Sequence, residues 1–116
     1  MRLAHWLFSY GTLRQTEVQR ELFGRVLESE ADVLPGFRSE MLQITDPDVL
    51  ALSGLAQHPV LRRGSPSDLV SGAALRVTDE DLARADTYEV ADYARIAVTL
   101  GSGRRAFVYV HRDDAP

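Results

Sequence analysis

The sequence predicts an α+β domain with a mixed or antiparallel sheet that curls toward a barrel. Three observations lead there. Strand-like segments outnumber helical ones, about six to two. Most of them follow one another through short turns, and a doubly wound parallel sheet would need more crossover helix than this. The chain has 116 residues and no cysteine. That is the length of one domain, 1–116, able to bury a core without disulfides or a structural metal.

The elements follow in order. Ala4 to Tyr10 is apolar on both faces, with Trp6 and Phe8 on one side and Leu7 on the other. It reads as a buried strand. Tyr10-Gly11-Thr12-Leu13-Arg14 is a glycine-containing turn. A short helix follows: Thr16 and Gln19 have capping-box spacing, Val18 and Leu22 share a face, and Gly24 is a C-terminal stop. Arg25 to Leu34 is the next strand, ended by Pro35-Gly36, and Phe37 to Thr45 is another. Asp46 to Ser67 contains Pro47, Gly54, Pro59, Gly64 and Pro66. It reads as a long functional loop with at most a turn of helix. Leu69 to Val77 is a strand. Thr78 then caps a helix to Tyr88, with Asp79, Glu80 and Asp81 in the first turn, where the dipole favours acids. Tyr93 to Leu100 and Arg105 to Val110 form a hairpin around Gly101-Ser102-Gly103. The polar tail, 111–116, is expected to fray.

Composition narrows the function. The apolar fraction is 45% and the charged fraction 26%, as in a soluble globular protein. Without cysteine, a thiol nucleophile and a cysteine-ligated zinc site are excluded. His5, His58 and His111 have no metal-ligand spacing, so no metal is expected. The serines lack a nucleophile-elbow context. The net charge is −4, and the arginines, the sole fixed cations, are scattered apart from Arg62-Arg63 and Arg104-Arg105. No nucleic-acid partner is expected. No stretch is long enough to span a membrane and no signal-peptide pattern is present, so the expected location is cytoplasmic.

Two features could carry chemistry. Leu82, Ala85, Asp86 and Glu89 fall on one helix face, opposite Glu80, Arg84 and Thr87. Glu89 sits at or just past the helix C-terminus. The dipole, burial and Asp86 would together raise its pKa and suit it to proton transfer. The alternative is that the helix stops at Asp86 and both acids are solvated. The turn from Tyr10 to Leu13 follows a buried strand and precedes a helix, which is where backbone N–H groups gather around an anion. It is equally the form of an ordinary strand-to-helix turn.

Two segments resemble a known family. Phe8-Ser9-Tyr10-Gly11-Thr12-Leu13-Arg14 is similar to the Tyr-Gly-(Ser/Thr)-Leu signature of the gamma-glutamyl cyclotransferase-like family. Asp86-Thr87-Tyr88-Glu89, with Tyr93 and Arg95, resembles its Asp-x-x-Glu and downstream Tyr-x-Arg. The segment from Arg104 to Val110 looks like its last core strand. The order holds from Leu7 to Val110, and the likeness is greatest to the small members. The resemblance implies a compact mixed β-barrel with short flanking helices. It implies a cofactor-free cyclisation of a γ-glutamyl amine or peptide, in which the α-amine attacks the γ-carbonyl to give 5-oxoproline and a freed amine. Glu89 matches the catalytic glutamate, and Tyr10, Gly11, Thr12 and Leu13 match the substrate-binding loop. Tyr93 either binds substrate or, like Arg95, braces the pocket wall. Val90 stands where many members have glycine, and Asp86 could pair with an arginine. Two other readings use the same barrel: a carboxylate-binding module without turnover, and an interaction domain. The last two strands leave an edge suited to homodimerisation.

Overall fold

The computed structural model describes residues 5–43, 57–89 and 93–115. Seven strands and two α-helices lie among them. The strands are β1 (His5–Ser9), β2 (Ser29–Pro35), β3 (Phe37–Gln43), β4 (Gln57–Arg63), β5 (Leu69–Val77), β6 (Tyr93–Thr99) and β7 (Arg105–His111). The helices are α1 (Thr16–Phe23) and α2 (Asp79–Tyr88). Neither is long and apolar enough to cross a membrane.

β1 is central because it is apolar on both faces. The sheet order is β2-β5-β1-β7-β6, with β1 antiparallel to β5 and parallel to β7. Leu7 and Phe8 are both almost fully buried, on opposite sides of the sheet. Leu7 joins Leu75, Val77 and Tyr109 under Val18 and Phe23 of α1 and Leu82, Ala85 and Tyr88 of α2. Phe8 joins Leu34, Val70, Val108 and Val110, covered by Phe37 and Leu61. The two helices thus share one face, and a strand ribbon covers the other. Gly72 lies where β5 passes the end of β1. A Cβ there would stand 2.3 Å from the Ser9 carbonyl oxygen and 2.8 Å from the Phe8 ring.

The expected closed barrel is not what forms. β3 and β4 pair with each other in a separate two-stranded antiparallel ribbon. The five-stranded sheet curls without closing. Its approach to closure is at the β6–β7 turn, which folds back onto the β2 edge. There Gly101 N–H donates to the Val33 carbonyl at 2.8 Å, and the Ser102 hydroxyl donates to Asp32 at 2.6 Å. A Cβ at Gly101 would lie 2.4 Å from Val33 Cγ2. One backbone bond at a turn is a contact, not a ladder.

Four other expectations need correction. Gln57–Arg63, placed in a loop, is strand β4. Residues 46–56 lie outside the described residues, as do Thr45 and Val90. Second, Thr16 does not cap α1. The N-cap is Gln15, with no side-chain bond. Gln19 is instead buried and bridges the Leu13 carbonyl (2.8 Å) and the Leu27 amide (2.9 Å). Third, the strand expected from Arg25 begins at Ser29, because Arg25 turns to an ion pair with α2. Fourth, the tail is tied down through Ala115. His111 ends β7, and Arg112–Asp114 form a 3₁₀ turn. Asp114 accepts from Arg62 Nε and from the Arg63 amide, both at 2.9 Å, which fastens the ribbon to the end of β7.

Several expectations hold. Gly24 ends α1 in the left-handed conformation, φ 78°. Thr78 caps α2, and its capping box is completed by Asp81. The β6–β7 hairpin pairs in the register Tyr93↔His111 to Thr99↔Arg105.

Candidate functional site

The site is built where β1 ends beside α2. After Ser9 the chain turns through Tyr10 and Gly11 into a 3₁₀ turn, Thr12–Arg14. Three side chains hold this turn. The Thr12 hydroxyl and the Tyr88 hydroxyl are 2.7 Å apart, tying the turn to the last residue of α2. Gln19 reaches the Leu13 carbonyl from α1. The Arg14 guanidinium donates back to the Tyr10 carbonyl at 3.0 Å. Arg14 N–H and Gln15 N–H donate within the turn, to the carbonyls of Gly11 and Thr12. Among the described residues, no acceptor takes the amides of Gly11, Thr12 or Leu13. All three residues line the cleft that Glu89 also borders.

Glu89 approaches from the other side. α2 ends at Tyr88, and Glu89 is its C-cap with extended backbone (φ −72°, ψ 141°). The buried stripe of α2 is Asp81, Leu82, Ala85 and Tyr88. The expected stripe through Asp86 and Glu89 is therefore displaced by one position. Asp86 is exposed at the stripe's border, and Glu89 leaves the helix axis and is half-buried against the turn. Phe8, Ser9, Tyr10, Gly11, Thr12, Leu13, Glu89, Tyr93 and Tyr109 enclose one cleft. It measures about 320 Å³ with its open mouth, and about 30 Å³ of it is open to the centre of a water molecule. The six residues singled out from sequence, Tyr10, Gly11, Thr12, Leu13, Glu89 and Tyr93, all line it.

The electrostatics follow from burial. Removal from water, and then the neighbouring Asp86 charge, push the Glu89 carboxyl up to about 8. Among the described residues, no hydrogen-bond donor offsets this desolvation. The C-terminal end of α2, where carbonyl oxygens point outward, acts in the same direction. Tyr10 is pushed well above its ordinary value by burial, then by the neighbouring Tyr93 and Glu89. Its hydroxyl is spent on the Tyr109 carbonyl at 2.6 Å.

Sequence reasoning missed Tyr109 and Tyr88. Tyr109 lines the cleft and donates its hydroxyl to Asp86 at 2.6 Å. Arg95 takes both Asp86 oxygens, each at 3.0 Å. Asp86 is thus the arginine partner that its spacing allowed. The signal for Tyr109 was present in the alternation of the last strand, where odd positions face α2. Among the described residues, no group of three or more His, Asp or Glu side chains is placed to hold a metal ion.

With this geometry in view, the family model of gamma-glutamyl cyclotransferase, AIG2-like, matches residues 7–116. The chain belongs to that family. The fold is shared with solved structures. One is a protein from Arabidopsis thaliana solved in solution, with TM-score 0.74 and 20% identity, matching 97% of this chain and 64% of that one. This chain therefore spans a little under two thirds of that relative. A second Arabidopsis thaliana protein gives TM-score 0.70 at 23% identity, over 97% of this chain and 71% of that one. The fold also resembles a segment of allophanate hydrolase from Kluyveromyces lactis, with TM-score 0.68 and 11% identity over 92% of this chain and 17% of the hydrolase. At these identities the likeness speaks for the fold. No curated protein sequence matches significantly.

Proposed function

We propose that this protein cyclises a γ-glutamyl amine or peptide to 5-oxoproline, with Glu89 as general acid/base. One observation carries the reading. A carboxyl pushed up to about 8 by burial and by the neighbouring Asp86 lines a small cleft with Gly11, Thr12 and Leu13, whose backbone amides have no acceptor among the described residues. Family membership makes the cyclotransferase reaction the natural chemistry for such a cleft.

The reaction needs no covalent nucleophile. Ionised Glu89 takes a proton from the substrate's α-ammonium group. The freed amine nitrogen attacks the γ-carbonyl carbon, forming the five-membered ring. Charge builds on the γ-oxygen, and the amides of the Gly11–Leu13 turn are the donors assigned to it in this reading. The bond from the γ-carbon to the leaving nitrogen then breaks, and Glu89 returns its proton to that nitrogen. One carboxyl serves both steps because its proton affinity lies near working pH. The turn, pinned by Thr12–Tyr88 and Gln19–Leu13, holds the substrate folded for ring closure. Tyr93 borders that cleft as a substrate-binding wall. A cysteine-free chain of this kind is suited to the cytoplasm.

The test is release of 5-oxoproline, read by mass spectrometry, from a panel of γ-glutamyl amines and dipeptides. The wild-type protein is expected to release it and Glu89→Gln to release none above background. Failure of a folded wild-type protein on every substrate would move the reading to a carboxylate-binding module.

A further inference from the structure

Asp86 is held more firmly than a half-exposed carboxylate needs to be. Its side chain lies on the border of α2, 43% exposed, where water alone would satisfy it. Three donors nevertheless converge on its two oxygens. The Tyr109 hydroxyl donates to Oδ1 at 2.6 Å, Arg95 Nη2 donates to Oδ2 at 3.0 Å, and Arg95 Nε pairs ionically with Oδ1 at 3.0 Å. Each donor is itself braced. The Arg95 guanidinium lies over the Phe107 ring, 4.9 Å from its centroid. The Tyr109 backbone carbonyl accepts the Tyr10 hydroxyl at 2.6 Å, so Tyr109 is anchored to the substrate turn. Asp86 stands in the last turn of α2, three residues before its C-cap Glu89, and its charge acts on the Glu89 carboxyl.

We propose that Tyr109 and Arg95 are positioning residues that clamp the Asp86 carboxylate beside Glu89, so that a fixed negative charge sets the pH range over which Glu89 exchanges its proton. The inference rests on the role of Glu89 proposed above. Free in solvent, Asp86 would swing away from a like charge. Clamped, it cannot. Among the described residues, the titratable and charged groups around Glu89 are Asp86 from α2, Tyr10 from the end of β1, Tyr93 from β6 and Tyr109 from β7, with Arg95 paired to Asp86. Among these, Asp86 is the carboxylate whose charge acts on Glu89, while the phenol of Tyr109 is pushed far up by burial and by Asp86. Arg95 partly cancels the charge that it holds in place. Removing it therefore acts in the opposite direction from removing Asp86.

The experiment is a carboxyl NMR titration of protein labelled with ¹³C-glutamate, run beside the pH profile of 5-oxoproline release. The wild-type Glu89 midpoint is expected near 8. Asp86→Asn keeps the shape and an acceptor for Tyr109, and lowers the midpoint by about one pH unit. Tyr109→Phe keeps the cleft wall but leaves Asp86 held by Arg95 alone, and lowers it by less than Asp86→Asn does. Arg95→Met leaves Asp86 on Tyr109 and raises it. The acidic limb of the release profile moves with each midpoint. Unchanged midpoints in Asp86→Asn and Tyr109→Phe, with only a lower melting temperature, would reduce the clamp to a structural brace. The two readings separate cleanly. Shifted midpoints without any release keep the clamp and remove the cyclotransferase. Release with unshifted midpoints does the reverse.

Discussion

α2 carries a carboxylate at each end, and the two live under opposite conditions. Asp81, in the first turn, is almost fully buried, with 2% of its side chain exposed. It completes the capping box with Thr78 and accepts two bonds from Arg25, at 3.0 and 2.6 Å. Burial alone would raise its pKa. The Arg25 guanidinium and the Thr78 amide outweigh that and hold it below the usual carboxylate range. Glu89, at the far end, is less buried but has no donor among the described residues, and its carboxyl is pushed up to about 8. Burial does not decide the direction; the partners do. The helix dipole favours the acid at the first end and opposes it at the second. The partners at the first end favour the charged carboxylate, and burial at the second favours the neutral acid.

The largest test of this contrast is on activity. Glu89→Gln should lower 5-oxoproline release by about 10²–10⁴-fold, whereas Asp81 variants that remain folded should keep wild-type kcat. The next is on stability. Asp81→Ala removes the cap partner and the buried half of an ion pair, and should cost about 3 kcal/mol in urea denaturation. Glu89→Gln should do the opposite at high pH. The folded Glu89 carboxyl binds its proton more tightly than the unfolded one. Its contribution is therefore full below the unfolded value and is lost as pH rises through about 8. At pH 9 the glutamine variant should be more stable than wild type, by on the order of 1–2 kcal/mol once solvent screening is allowed for. Asp81 has the reverse sign, since its folded pKa is depressed. Its contribution is present above about pH 4 and is lost as pH falls through the depressed value. Calorimetric scans from pH 2 to 9 would resolve the two losses at opposite ends. The smallest effect is Thr78→Ala, which keeps the Asp81–Arg25 pair but removes one cap bond, and should cost about 1 kcal/mol.

The same contrast explains what could be read in the sequence. Local signals were legible. Thr78 followed by acids marked a helix start, Gly24 a helix end, and Gly101-Ser102-Gly103 a hairpin. The unbroken apolar run through Leu7 and Phe8 marked the central strand. The cleft residues were found because the two segments that carry them each have a local pattern. Long-range partners were not legible. Asp81 was readable only as one of three first-turn acids, since its partner Arg25 is distant in the chain. Tyr109 looked like core because its hydroxyl finds Asp86 only through the pairing of β6 with β7. β4 was hidden by its own punctuation. Pro59 and the nearby Gly64 read as loop, yet in a two-stranded ribbon each strand is an edge, and a missing N–H on its open side costs nothing. The barrel was overstated because curl is a local property of twisted strands, whereas closure depends on whether two particular edges meet.

The turn that folds back onto β2 has a meaning for the protein's behaviour in a crowded solution. An open strand edge is a template on which other chains can add strands and begin to aggregate. Val33 would offer its carbonyl on such an edge, but the Gly101 amide already occupies it, and Asp32 holds the neighbouring Ser102 and Arg104 beside it. The incomplete barrel therefore shields with a turn what a closed one would shield with a ladder, and the smallest residue, Gly101, is what lets the chain police its own edge.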